Sequence, residues 1–224
     1  MQKKKWLALP LGLLGAALLS LCLLLSAFLA SATSGKLYYK IQVQLEIDPG
    51  VDRAVMERLD LALGDYLSGD AHALDAASEF NAREIAHMQD VFALFVLGRR
   101  GMALLALAGA LLLALGVYFA PNRRRLLRFS AVGSLSCLLL LGAAAILWVT
   151  QDFGHAFSVF HHILFRNDLW LLDPETDLMI RMLPEEFFQA LARVLGLRSA
   201  LAASAVPLAL MCLSMDFSSQ NKGW

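Results

Sequence analysis

The 224-residue chain is 58% hydrophobic and 17% charged, and its 19 basic and 19 acidic side chains cancel to zero net charge. That balance points to a membrane protein, and the missing basic excess excludes a nucleic-acid binder held by charge. The three cysteines, Cys22, Cys137 and Cys212, lie in apolar runs without Cys-x-x-Cys spacing, which excludes a disulfide framework, a zinc finger and a dithiol redox pair.

A bilayer core about 30 Å thick is crossed by a helix of roughly 20 apolar residues. Trp6–Ala30 is the first stretch of that kind. With Lys3-Lys4-Lys5 before it and Ala30-Ser31-Ala32 at its end it imitates a secretory signal peptide, but the apolar run exceeds the roughly 7–15 residues of such a segment. It is expected to remain as a span.

Next, Leu37, Tyr39, Ile41, Val43, Leu45 and Ile47 alternate with Lys40, Gln42, Gln44 and Glu46, which predicts a half-buried amphipathic strand broken by Asp48-Pro49-Gly50. Val55, Leu59, Leu63 and Tyr66 recur at helical spacing and predict a helix ending near Ser68-Gly69. Another helix opens at Asn81, where Glu84 three residues on completes a capping box. Its stripe of Ile85, Met88, Val91, Phe92 and Phe95 leads into the second span, Gly101–Ala120, with Arg99 and Arg100 as interface anchors.

The basic turn Pro121–Arg128 precedes the third span, Phe129–Thr150. Gln151–Leu197 follows, with a helix predicted from Pro184-Glu185-Glu186 and an apolar stripe of Phe187, Leu191 and Val194. Ser199–Met215 is the fourth span, short and carrying Pro207.

The bias of Lys and Arg assigns the N-terminus, the turn Pro121–Arg128 and the C-terminus with Lys222 to the cytoplasm. Of the 19 acids, 18 then fall in the two outer segments, as do all five histidines, and Asp216 lies elsewhere. The expected architecture is one mainly α membrane domain over residues 1–224. Four transmembrane helices would carry a small extracytoplasmic α+β cap, built from segments 31–100 and 151–198 and including one strand.

No Gly-x-Ser-x-Gly elbow, His-Glu-x-x-His pair or phosphate-cradling loop is present. Ser68, Ser78, Ser158 and Thr176 have no local signature separating a nucleophile from a turn or cap hydroxyl. The chemistry therefore falls to histidine: His72, His87, His155, His161 and His162. Glu84, His87 and Asp90 share one helix face, so a carboxylate can orient the imidazole as a general base, although an ordinary charged helix face has the same spacing. His155, His161 and His162 sit among aromatic residues that can keep an imidazole neutral; with Asp152 or Asp168 their spacing matches no established zinc pattern. No metal or cofactor is called for, and haem does not suit histidines outside the spans. Two readings stand from the residues: an acid–base enzyme acting at the membrane, or a non-catalytic polytopic subunit or lipid-binding partner of an envelope complex.

Two stretches carry more information than their local chemistry. One is Phe80-Asn81-Ala82-Arg83-Glu84-Ile85-Ala86-His87-Met88-Gln89-Asp90-Val91. The other is Phe160-His161-His162-Ile163-Leu164-Phe165-Arg166-Asn167-Asp168-Leu169-Trp170-Leu171-Leu172-Asp173-Pro174-Glu175-Thr176-Asp177, continuing through Met182-Leu183-Pro184-Glu185-Glu186-Phe187-Phe188. With the four-span layout they resemble the lipoprotein intramolecular transacylase family of bacterial membrane proteins. The resemblance implies an integral protein of the cytoplasmic membrane with an extracytoplasmic active site. Its substrate would be a lipoprotein whose N-terminal cysteine bears S-linked diacylglycerol. The sn-2 acyl chain would move to that cysteine's own α-amine, giving the lyso-form. It further implies two catalytic histidines, His87 and one of His161 and His162, with His161 favoured. In the working assignment His87 is the base, oriented by Glu84 or Asp90, while His161 holds the ester or protonates the leaving oxygen. Asn167, Asp168 and Trp170 are supporting candidates, and the strand Leu37–Ile47 a lid or wall beside a lipid-facing opening.

Overall fold

The computed structural model describes residues 5–70, 72–74 and 77–219, with the side chains of 216–219 excepted. Lys3, Lys4 and Lys222, on which the expected orientation partly rests, lie outside the described residues. Among the described residues eight α-helices follow one another: α1 Ala8–Ala32, α2 Gly35–Gln44, α3 Arg53–Ser68, α4 Ala82–Phe119, α5 Arg123–Gln151, α6 Phe153–Leu164, α7 Leu178–Met182 and α8 Glu185–Ser219. Four of the helices among the described residues, over Lys5–Ala32, Ala82–Phe119, Arg123–Gln151 and Glu185–Met215, are long and apolar enough to cross a membrane. The fourth continues through Pro207 as one helix. At about 1.5 Å per residue, the 38 residues of α4 far exceed a bilayer core, so its polar N-terminal turns need not enter lipid.

The chain forms two compact units. One holds α1 to Ala27, α4 from Arg99, α5 to Leu147 and α8 from Leu197. Its helices touch through small residues: an added Cβ on Gly15 would meet the Gly109 carbonyl at 2.8 Å, and one on Gly116 would meet the Gly12 nitrogen at 2.8 Å. Close backbone approach of this kind substitutes for the hydrophobic drive that lipid does not supply. Ala16, Leu127, Ala131 and Leu210 fill the remaining core, while Leu104, Leu107, Leu140 and Leu208 stay exposed.

The other unit comprises Phe28–Gly98 and Trp148–Gly196. Its core is built on Leu59, Leu63, Met182 and Phe187, whose full burial contributes about 1.5–3 kcal/mol for each large side chain. Helix α3 spans Arg53–Ser68 and stops at Gly69, whose φ of +129° suits glycine.

The strand expected over Leu37–Ile47 is not there. Among the described residues no strand occurs: helices and irregular segments make up this unit, and neither an α+β cap nor a strand lid survives. Ser34 caps α2 by accepting the Leu37 N–H at 3.3 Å. The residues α2 buries are Gly35, Leu37, Tyr38, Ile41 and Gln42, a helical stripe. Gln42 is one of the polar residues of that alternation, and Tyr38 falls on the same side by parity. The Tyr38 hydroxyl donates to the Ala32 carbonyl, and Gln42 Nε2 donates to Asp60 Oδ1 at 3.1 Å and to the Met182 carbonyl at 3.0 Å. Buried hydrogen bonds thus make two polar positions interior, and the apolar alternation loses its meaning.

Candidate active site

Helix α4 begins with the reciprocal capping box that Asn81 and Glu84 predict: the Asn81 N–H donates to Glu84 Oε2 at 2.7 Å, and the Glu84 N–H to Asn81 Oδ1 at 3.1 Å. Glu84 is buried and does more than cap. Its Oε1 accepts the Met179 N–H at 2.5 Å, at the start of α7. Both carboxylate oxygens are thereby committed to backbone, so Glu84 supports the helix that carries His87 instead of bonding the imidazole.

One turn on, His87 is buried. His161, near the end of α6, is buried as well, and the two rings lie 6.3 Å apart between centroids at 36°. His162 is exposed and meets Trp170 edge-on at 5.1 Å. The doubled histidine is therefore split by geometry, since adjacent residues on a helix diverge by about 100°. His72 and His155 are exposed.

Aromatic rings enclose the pair. Phe165 lies 5.3 Å from His87 and 5.7 Å from His161, Phe157 4.0 Å from His161, and Trp170 stacks on His161 at 4.7 Å and 26°. His161 Nδ1 lies 2.7 Å from the Phe157 carbonyl. A carbonyl only accepts, so Nδ1 carries the proton and Nε2 is the bare, basic nitrogen. Burial pushes His87 down to about 4, the nearby His161 adds to the fall, and Asp90 opposes it. His161 is lowered too, chiefly by burial and by His162, while the Phe157 carbonyl resists the shift. Both rings are thus held below the ordinary histidine value, and the neutral form is favoured in each.

The supporting candidates act through the irregular segment 165–177. Asn167 Nδ2 donates to Asp90 Oδ2 at 2.8 Å, so Asp90 reaches His87 through its charge. Asp168 contributes its backbone carbonyl, which accepts from Arg83 Nη2 at 2.6 Å. Asn81 Nδ2 donates to Asp177 Oδ1 at 2.6 Å. Burial raises Asp177, but hydrogen bonds from the Asp173 N–H, Asn81 and Thr176 prevail and hold it below the usual carboxylate range. Phe157 is among the aromatic neighbours expected to keep an imidazole neutral, whereas the sequence alone assigns Arg83 and Phe165 no role of their own. Arg83 is legible only as the residue one turn before His87 on the same helix face.

Two of the candidate hydroxyls are spent on local hydrogen bonds and two are exposed. Ser158 donates back to the Gly154 carbonyl at 3.0 Å, and Thr176 to Asp177 Oδ1 at 3.1 Å; Ser68 and Ser78 are exposed. Asp152 caps α6 by accepting the His155 N–H at 2.9 Å. Among the described residues no group of three or more His, Cys, Asp or Glu side chains is placed to hold a metal ion.

The family model described as lipoprotein intramolecular transacylase Lit matches residues 13–188. No curated protein matches the chain. Among solved structures, the membrane-integral lipoprotein intramolecular transacylase Lit from Bacillus cereus superposes with a TM-score of 0.69 at 21% identity, over 95% of this chain and 96% of that one. A histidine-to-arginine variant of the same Bacillus cereus protein superposes with a TM-score of 0.68 at 21% identity, over 95% of this chain and 92% of that one. These two likenesses speak for the fold.

Proposed function

This chain belongs to the lipoprotein intramolecular transacylase family, and from that premise we propose that His161 is its general base and His87 the second catalytic histidine. The family's reaction moves the sn-2 acyl chain of a diacylglyceryl-modified lipoprotein to its N-terminal amine. The chain is accordingly an integral membrane enzyme, and the reading as a non-catalytic subunit falls away.

The reaction is an isomerisation. The neutral α-amine adds to the sn-2 ester carbonyl, the acyl C–O bond breaks, and the amine proton ends on the glyceryl oxygen. Amine and ester share one molecule, so holding them in contact supplies much of the rate. His161 Nε2 takes the proton as the nitrogen adds and returns it to the leaving oxygen. General base help of this kind contributes about 10²–10⁴-fold. His87 donates to the ester oxygen or positions the imidazole of His161. This reverses the working assignment, because the hydrogen bond at His161 Nδ1 leaves Nε2 bare, and because burial holds His87 down at about 4, a weak base for an amine proton.

The single observation that carries the reading is the convergence of His87 with His161 in an aromatic enclosure. The positive-inside bias favours placing this histidine pair on the extracytoplasmic face, with both termini cytoplasmic. There it would meet an S-diacylglyceryl cysteine with a free amine. The test gives purified protein a diacylglyceryl lipopeptide and locates the moved chain by fragmentation, because the total mass does not change. Alanine at His161 or His87 should lower the rate at least 100-fold, and alanine at His155 should leave it near the parent's. Full activity in His161→Ala overturns the assignment of the base.

A further inference from the structure

Residues 165–177 form no regular element beyond turns, yet they carry the indole that covers His161. An irregular segment keeps a ring at 4.7 Å from an imidazole only if something fixes its backbone. Arg83 is that fixture. Its Nη2 donates to the Asp168 carbonyl at 2.6 Å and to the Leu171 carbonyl at 3.0 Å, two groups that bracket Trp170 in the chain. Charge-assisted donation of this kind is stronger than a neutral hydrogen bond. Asn167, bonded to Asp90, secures the start of the same stretch.

Helix geometry ties this grip to catalysis. Arg83, His87 and Asp90 succeed one another on one face of α4, so the register that aims His87 at His161 also sets Arg83 over the segment. Trp170 is buried and stacks on one face of the His161 ring, leaving water less access to it. The titratable groups facing His161 are His87 from α4, backed by Asp90, and His162 from its own helix. Phe157, Phe165 and Trp170 complete its surroundings without charge.

We propose that Arg83 is a positioning residue for acyl transfer: by holding the two carbonyls that flank Trp170, it keeps the indole stacked on His161. The consequence for catalysis rests on His161 being the base. With the indole released, His161 gains water and its basicity returns towards the ordinary value, so protonation removes the neutral base at higher pH than in the parent. The guanidinium itself takes no part in the bond changes.

The experiment reads Trp170 and catalysis separately. In full-length protein carrying Trp6→Phe, Trp148→Phe and Trp224→Phe, Arg83→Ala should shift Trp170 emission to longer wavelength. It should also lower kcat roughly tenfold to a hundredfold, the scale of an ångström misplacement, with less effect on KM. The acidic limb of the rate–pH profile should move to higher pH, and Arg83→Lys, which keeps a cationic donor, should restore both readouts in part. If Arg83→Ala does not fold, Arg83→Gln, which keeps at most an uncharged grip, is read in the same way. Unchanged Trp170 emission overturns the proposal. Shifted emission with an unmoved acidic limb upholds the grip of Arg83 but refutes His161 as the base.

Discussion

Replacing Asp60 by asparagine tests the buried contact that turned an apparent strand into helix α2. Asp60 is fully buried, and burial pushes its carboxyl up to about 8, with the Gln42 hydrogen bond pulling the other way and Glu57 adding to the rise. Asp60 Oδ2 and Gln42 Oε1 have no hydrogen-bond partner, and they sit on the two side chains already joined through Gln42 Nε2. A neutral carboxyl supplies a proton donor at that place; a carboxylate supplies none. An unfolded aspartate titrates near 3.9, so between that value and 8 the folded chain holds more protons than the unfolded one. The stabilisation is complete below the unfolded pKa and is lost progressively as pH rises towards the folded one. At about 1.36 kcal/mol per unit, the loss by pH 7 is on the order of 4 kcal/mol. Asp60→Asn keeps the shape, still accepts from Gln42 Nε2, and brings an amide donor suited to Gln42 Oε1 at any pH. Thermal unfolding in detergent, followed from about pH 5 to about pH 9, should show the parent's Tm falling relative to the variant's, since the buried histidines titrate alike in both and cancel in the difference. The gap between them should widen with pH. A variant whose Tm keeps the parent's pH dependence, or lies below it at pH 8, refutes the reasoning.

Three further predictions follow from packing and charge. Glu84→Gln leaves one of the Asn81 and Met179 N–H groups without an acceptor and should cost about 1–3 kcal/mol, read as a lower Tm and a slower transacylation. Gly64→Ala drives a Cβ to 2.5 Å from the Gly35 nitrogen and 2.7 Å from the Thr33 carbonyl, backbone that cannot step aside. It should destabilise the α2–α3 contact by about 1–3 kcal/mol, whereas Gly142→Ala, with nothing within 4 Å, should not. In carbon-13 histidine spectra, His87 should stay neutral down to its titration at about 4; a midpoint near the ordinary histidine value contradicts its burial.

The spans were legible because lipid imposes long unbroken apolar runs, and the start of α4 because a capping box is a local pattern of side chain and backbone. The end of α3 was legible for the same kind of reason, since Gly69 adopts a φ that glycine favours. Helix α2 was not. Its alternation is compatible with either period, and the decision lies with Asp60 and Met182, which are 18 and 140 residues from Gln42. The site shows the same division. His87 and the histidine pair stand out as residues, but the preference for His161 over His162 depends on where α6 faces. The grip of Arg83 uses backbone carbonyls of Asp168 and Leu171, groups every residue possesses, so side-chain identity carries no sign of it.

The central claim is that acyl transfer runs through His161 paired with His87, and comparing the two adjacent histidines tests it most directly. Diacylglyceryl lipopeptide is converted by His161→Ala and His162→Ala in parallel, with the N-acyl product quantified by fragmentation mass spectrometry. The account predicts a loss of at least about 100-fold for His161→Ala, the scale of a general base, and a rate within a few-fold of the parent for His162→Ala. The reverse order of the two rates would contradict it.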